Sequence, residues 1–213
     1  MGKALWGTSG GFQGKNGANI GRWLDGQNIV GPLPHPSQKP PTTPQLNQQA
    51  RVRLVTGWLR LLKGVIRTGY NVHKEKVSPW STAVQFNLKH AVTGVSPNYV
   101  IDYPKAKFCM GELTPPQDVE LTTVAAAELV FDWPTTFNAD FGAATDKATI
   151  VVYNPARNLF TLVTGAATRA AGTYTLQLPA SYSGDQVQCY MSFLSADGKL
   201  SSDSVFAGAT VLV

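Results

Sequence analysis

The stretch TPQLNQQARVRLVTGWLRLLKGVIRTGY, residues 43–70, decides the fold of the first half of the chain. Thr43 suits a helix N-cap, and Pro44 suits the first helical position, where its missing N–H costs nothing. Stepped at 100° per residue, Leu46, Ala50, Val52, Leu54, Val55, Trp58, Leu59, Leu61, Leu62, Val65, Ile66 and Tyr70 fill one broad apolar arc. Arg53, Arg60, Lys63 and Arg67 fall in the remaining sector. The spacing therefore predicts a mostly buried helix with one basic stripe, which weakens near Gly64 or Gly69.

Charge is scarce and unevenly spread. Residues 1–109 hold 14 Lys and Arg against 3 acids, and residues 110–213 hold 4 against 10. Two halves of opposite sign suggest different electrostatic tasks. The 213 residues, 43% of them apolar, suffice for one large or two modest domains with a real core. The start Met1-Gly2-Lys3-Ala4-Leu5-Trp6 lacks the apolar run of an export signal, which predicts cytoplasmic synthesis ending in an assembled particle or extracellular filament. No stretch reaches the roughly 18 apolar residues of a membrane span. Two cysteines make no disulfide scaffold, and Cys189 shares a strand face with Val187, Met191 and Phe193, as a plain buried thiol does.

Upstream of the helix, residues 1–31 carry nine of the twenty glycines, interleaved with Trp6, Phe12, Ile20, Trp23, Leu24, Ile29 and Val30. Glycine mixed with aromatics predicts twisted strands and tight turns rather than a flexible linker. Such strands bury little alone and need a partner, so Phe12, Ile20, Trp23 and Ile29 are the candidate contacts of an assembly arm. Six prolines between Gly31 and Pro44 predict a stiff extended strap leading to the helix.

Downstream, Ser78-Pro79-Trp80-Ser81 opens a second helix reaching about Val92, and Thr93-Gly94 ends it. Tyr99–Tyr103 and Lys105–Met110 are then expected as strands around Pro104. Past Thr114-Pro115-Pro116 the apolar period becomes two, in Leu129/Phe131/Trp133, Ile150/Val152, Tyr174/Leu176/Leu178 and Val187/Cys189/Met191/Phe193, with turn-rich separators such as Ser183-Gly184-Asp185. About seven short strands in this span predict an antiparallel immunoglobulin-like or fibronectin-like β-sandwich. The whole is expected to be an α+β protein with an arm and strap at 1–42, a helical region with short strands at 43–113 and a sandwich at 114–213.

No catalytic constellation emerges, so the chain is expected not to be an enzyme and to need no cofactor. Gly14-Lys15 fails as a phosphate loop because Ser9 stands where the first glycine belongs and Asn16 where Ser or Thr belongs. His35, His73 and His90 have no Cys or carboxylate at ligand spacing, so no metal site is expected. Neither a Gly-x-Ser-x-Gly elbow nor an outstanding acid pair is present. Arg53, Arg60, Lys63 and Arg67 remain as the strongest constellation, facing water, a polyanion or an acidic neighbour. Heptad spacing sets Arg53, Arg60 and Arg67 nearly in line, each about 10.5 Å beyond the last.

Gly10-Gly11-Phe12-Gln13-Gly14-Lys15, Pro40-Pro41-Thr42-Thr43-Pro44-Gln45-Leu46, Asn87-Leu88-Lys89-His90-Ala91-Val92, Ile101-Asp102-Tyr103 and Val151-Val152-Tyr153-Asn154-Pro155 together resemble an uncharacterised family of Bacteroidota proteins, a domain of unknown function. The resemblance spans nearly the whole chain and implies glycine-rich strands at the start and a sandwich at the end. Ile29-Val30-Gly31-Pro32-Leu33-Pro34 departs from the Ile-Arg-Ser-Leu-Pro expected there. The resemblance implies no established activity. The reading that accounts for arm, strap and charge split together is a self-assembling structural subunit of a filament, tube or phage-like particle, its partner being other copies of itself. The alternatives are a nucleic-acid-binding protein using the basic half, or a ligand- or carbohydrate-binding adhesin with exposed Tyr182, Tyr190 or tryptophans on the sandwich.

Overall fold

The computed structural model describes residues 2–3, 11–35, 39–70, 77–124 and 127–213. Contacts divide the chain into two units, Met1–Thr42 and Thr43–Val213. The break before Thr43 coincides with the expected end of the strap, of which residues 36–38 lie outside the described residues.

In the second unit the long apolar arc folds as two helices, α1 (Thr43–Leu59) and α2 (Lys63–Gly69), joined by a 3₁₀ turn at Arg60–Leu62. Val55, Trp58, Leu59, Leu62, Val65, Ile66 and Tyr70 are buried as the spacing requires. Full burial of a side chain such as Leu59 or Ile66 is worth about 1.5–3 kcal/mol. Leu46 and Leu61 depart from that arc, each 51% exposed. At 100° per residue both lie towards one margin of the arc, away from buried Leu59, Leu62 and Ile66. The interruption falls just ahead of Gly64, near which the spacing predicts it.

The third helix, α3 (Pro79–His90), starts where Ser78 accepts a hydrogen bond from the Ser81 N–H at 3.2 Å. It packs with α1 and α2 in one apolar cluster. A hairpin of β5 (Val92–Val95) and β6 (Asn98–Ile101) follows. The expected strand at Lys105–Met110 is absent. Tyr103–Lys105 is a 3₁₀ turn, and the next backbone N–H groups go to scattered partners: Lys107 to Asn87 Oδ1 at 3.0 Å, Phe108 to Ser204 Oγ at 3.1 Å and Met110 to the Gly69 carbonyl at 3.0 Å. Side chains and a helix end thus satisfy donors that a ladder would otherwise take.

Seven antiparallel strands complete the unit: β7 (Glu120–Thr123), β8 (Glu128–Asp132), β9 (Lys147–Asn154), β10 (Leu159–Thr168), β11 (Thr173–Gln177), β12 (Gln186–Leu194) and β13 (Val205–Val211). They form a three-stranded sheet ordered β11-β8-β7 and a four-stranded sheet ordered β10-β9-β12-β13. Between them Leu129, Phe131, Ile150, Val152, Leu176, Cys189, Met191 and Phe193 form the interior of an immunoglobulin-like sandwich.

In β9 and β12 the alternate residues are buried too. Val151, Tyr153 and Tyr190 point to the far face and join Trp58, Leu59, Leu62 and Phe108 in the helical cluster. The unit is therefore three layers deep, with helices, a central sheet whose β9 and β12 are buried on both faces, and the three-stranded sheet outside. The change of period at Thr114 marks a change of layer within this unit, because the helices close the second face of the sheet.

The first unit is a four-stranded antiparallel sheet ordered β1-β4-β3-β2, from β1 (Gly2–Lys3), β2 (Gly14–Asn16), β3 (Asn19–Leu24) and β4 (Gln27–Pro32). Asp25 and Gly26, at φ of 49° and 74°, make the two-residue turn between β3 and β4, and both positive values suit a type I′ hairpin.

Candidate contact surfaces

Arg53, Arg60, Lys63 and Arg67 are all exposed on the helical layer. Lys63 holds its Nζ 5.3 Å from the centre of the Trp80 ring. Among the described residues Arg53, Arg60 and Arg67 have no ion-pair partner. Arg51 has a structural task instead, donating to the Leu88 carbonyl at 3.0 Å and so tying α1 to α3. Together α1, α2, α3 and the 3₁₀ turn contain Arg51, Arg53, Arg60, Lys63, Arg67 and Lys89 and not one acid.

The opposite surface of the unit has the opposite sign. On the three-stranded sheet, Leu129, Phe131 and Leu176 face the core, so Glu128, Val130 and Asp132 face outward, with Glu120 and Thr122 beside them. Glu120 lies directly across from Asp132 in the register of β7 and β8. Like charges so placed repel by a fraction of a kcal/mol to about 1 kcal/mol. The three strands contain no Lys or Arg, and among the described residues no cation pairs with Glu120, Glu128 or Asp132. The acids that are paired lie elsewhere: Asp102 with Lys105, Asp203 with Lys107, Asp185 with Arg157, Asp146 with Arg169 and Asp197 with Lys199.

Beside α1 a groove of about 480 Å³ is lined by Arg53, Trp58, Arg60, Tyr103, Tyr153 and Asn158, among others. Trp58 is 6% exposed, and its indole N–H has no acceptor among the described residues. Its ring meets Tyr153 edge-on at 6.0 Å and Phe160 at 5.6 Å. The Tyr153 hydroxyl donates to Asn158 Oδ1 at 3.0 Å. Burial, reinforced by Tyr103, pushes the Tyr153 hydroxyl up to about 12, and burial likewise raises Tyr103. Both hydroxyls are neutral at physiological pH, so the arginines set the sign of the groove.

In the first unit the four arm residues divide between two faces. Ile20 lies across from Gly31 and Ile29 from Arg22, on one face, while Trp23 lies across from Asn28 on the other. Phe12 covers the Trp23 face: a Cβ at Gly21 would collide with the Phe12 carbonyl, and Asn28 Nδ2 donates to that carbonyl at 2.8 Å. Trp23 remains 55% exposed and Leu24 likewise. Phe12, Ile20 and Ile29 are half-buried.

Tyr190 is fully buried and Tyr182 is 4% exposed. The two tyrosines that an adhesin would expose are thus buried, Tyr182 in the sandwich interior and Tyr190 in the helical cluster. Sequence spacing located the cations but not the Glu120–Asp132 pair or the Trp58 groove. The alternation of Glu128, Val130 and Asp132 held part of the signal, whereas cross-strand register and the meeting of α1 with the β9–β10 turn are set only by the tertiary fold.

The family of unknown function DUF6266 matches residues 11–208. No curated protein matches the sequence. Among solved structures, the fn3 domain of human collagen alpha-1(XX) chain is 17% identical with a TM-score of 0.36, covering 47% of this chain and 86% of that domain. The fn3 domain of human contactin 1 is 14% identical with a TM-score of 0.33, covering 57% and 93%. Chicken interferon gamma receptor alpha chain is 13% identical with a TM-score of 0.35, covering 57% and 64%. Among the described residues no helix is long and apolar enough to cross a membrane.

Proposed function

This chain belongs to the family of unknown function DUF6266, and we propose that it serves as a non-enzymatic, self-assembling structural subunit of a filament, tube or phage-like particle. The observation that carries this reading is the placement of unlike charge on the two outer surfaces of one three-layered unit: three helices with no acid in them on one side, and a sheet face with Glu120, Glu128 and Asp132 on the other. Unlike faces on opposite sides favour head-to-tail contact, which closes into a ring or extends as a filament. The first unit adds exposed Trp23 and Leu24 and short edge strands, suited to contact with a second copy. A Bacteroidota lineage, cytoplasmic synthesis and residence in a particle or extracellular filament belong to the same proposal.

A second reading is favoured by the helical layer alone. Six cations without an acid suit the phosphates of a nucleic acid, whose affinity would fall steeply with salt. The acidic sheet face of the same unit would repel that partner, so assembly is preferred. Negative-stain electron microscopy of the purified full chain at low salt tests the choice. Rings, tubes or filaments are expected, and monodisperse monomers at high concentration would remove the proposal. Retention on DNA or RNA by such monomers would favour the second reading.

A further inference from the structure

We propose that the groove beside α1 is a carboxylate-binding site, and that its occupant is the Glu120–Asp132 pair of a second copy of this chain. The inference rests on the self-assembly reading and gives it a specific contact. Two features of the groove point to an anion. Arg53 and Arg60 both line it and have no ion-pair partner among the described residues. None of its lining residues is acidic.

The carboxylates are equally incomplete. Glu120 and Asp132 face each other across β7 and β8 with no cation beside them. Because β7 is an edge strand, the pair lies at the margin of its sheet, where a neighbouring concavity can receive it. Arginine suits this task because its planar fork matches a carboxylate bidentately and stays charged when desolvated. The Asn158 amide and the Tyr103 hydroxyl, also in the wall, supply further polar contacts. The donor set and the acceptor set lie on opposite outer layers of one unit, so no copy can satisfy its own. One contact between two copies relieves the repulsion of the acids and neutralises the arginines.

The test uses two full-length variants, R53E/R60E and E120K/D132K, followed by sedimentation velocity at low salt, with circular dichroism and thermal melts on each. Both exchanges are at the surface and should leave the melts near that of the parent; R53Q/R60Q and E120Q/D132Q replace any variant that does not fold. Each variant alone should associate at least tenfold more weakly than the parent, and an equimolar mixture of the two reversed variants should recover association. Association of each variant at parental strength would overturn the groove contact while leaving self-assembly through another surface standing. Loss in both variants without recovery in the mixture would also overturn the pairing. A parent chain that stays monomeric would remove the self-assembly reading itself, and this contact with it.

Discussion

The Arg169 guanidinium lies 3.8 Å above the centre of the Phe193 ring and within 3.2 Å of an Asp146 carboxylate oxygen, with both charged side chains only 3% exposed. Arg169 also donates to the Thr114 carbonyl at 2.8 Å, and its own carbonyl accepts from the Trp133 indole at 2.9 Å. The pair thus closes one end of the sandwich. Burial lowers the Arg169 pKa while Asp146 opposes the shift, so removing the carboxylate strands a desolvated cation. Asp146→Ala is expected to cost about 3–5 kcal/mol in urea unfolding, and replacing both partners with apolar residues of similar volume to recover most of that. Equal losses in the single and double variants would contradict this account.

Two glycines of α2 predict opposite outcomes. Gly64 is exposed and a methyl group there would meet nothing within 4 Å, so Gly64→Ala should stabilise by about 0.5–1 kcal/mol through helix propensity. At Gly69 a Cβ would run into the Cys109 sulfur, where the end of α2 presses on the segment crossing beneath it. Gly69→Ala should therefore destabilise by about 1–3 kcal/mol. Thermal or urea unfolding of the two variants decides, and a gain at both positions would show that the close packing at Gly69 yields freely.

Alkaline pH should weaken the fold. Burial pushes both Cys109 and Cys189 up to about 12 from an ordinary 9.0. Between these values the unfolded chain loses the thiol protons and the folded chain keeps them, so the folded state binds more protons and stability falls as pH rises. The slope is at most about 1.4 kcal/mol per pH unit for each cysteine. Buried Tyr70 and Tyr190, also raised by desolvation, add to the fall above about pH 10. Cys189→Ala should flatten the decline of urea midpoints above pH 9, and an unchanged slope would exclude Cys189 as a contributor.

The orphan donor of Trp58 separates packing from hydrogen bonding. Trp58→Phe removes the unsatisfied N–H while keeping an aromatic ring against Tyr153 and Phe160, so the cavity cost is partly offset and a loss below about 2 kcal/mol is expected. Trp58→Ala empties the site and should cost about 3–5 kcal/mol. Similar losses from the two variants would mean that the indole's full shape, rather than an aromatic ring, is what the cluster requires.

Much of the architecture was legible in residue spacing for a physical reason: each element has a face that must leave water. The heptad cations and the alternation of Leu129, Phe131 and Trp133 report which side is buried, and both agree with the fold. Spacing does not report what covers a second buried face. Val151 and Tyr153 complete an unbroken apolar run in β9, yet only the packing of α1 and α2 shows why that strand is buried twice over. Lys105–Met110 misled because apolar alternation there serves a crossing segment bonded to side chains rather than a ladder. Arg169 and Asp146 stand 23 residues apart, beyond any local pattern. The Trp58 groove and the Glu120–Asp132 pair depend likewise on elements that meet only after folding.

The central claim is that oppositely charged outer layers bring copies of this chain together. Sedimentation velocity of the full chain between about 0.01 M and 1 M salt tests it most directly, because the screening length falls from about 30 Å to about 3 Å over that range. The account predicts large species at low salt that dissociate towards the monomer as salt rises. A size distribution indifferent to salt would contradict it, whether the chain remained monomeric throughout or assembled throughout.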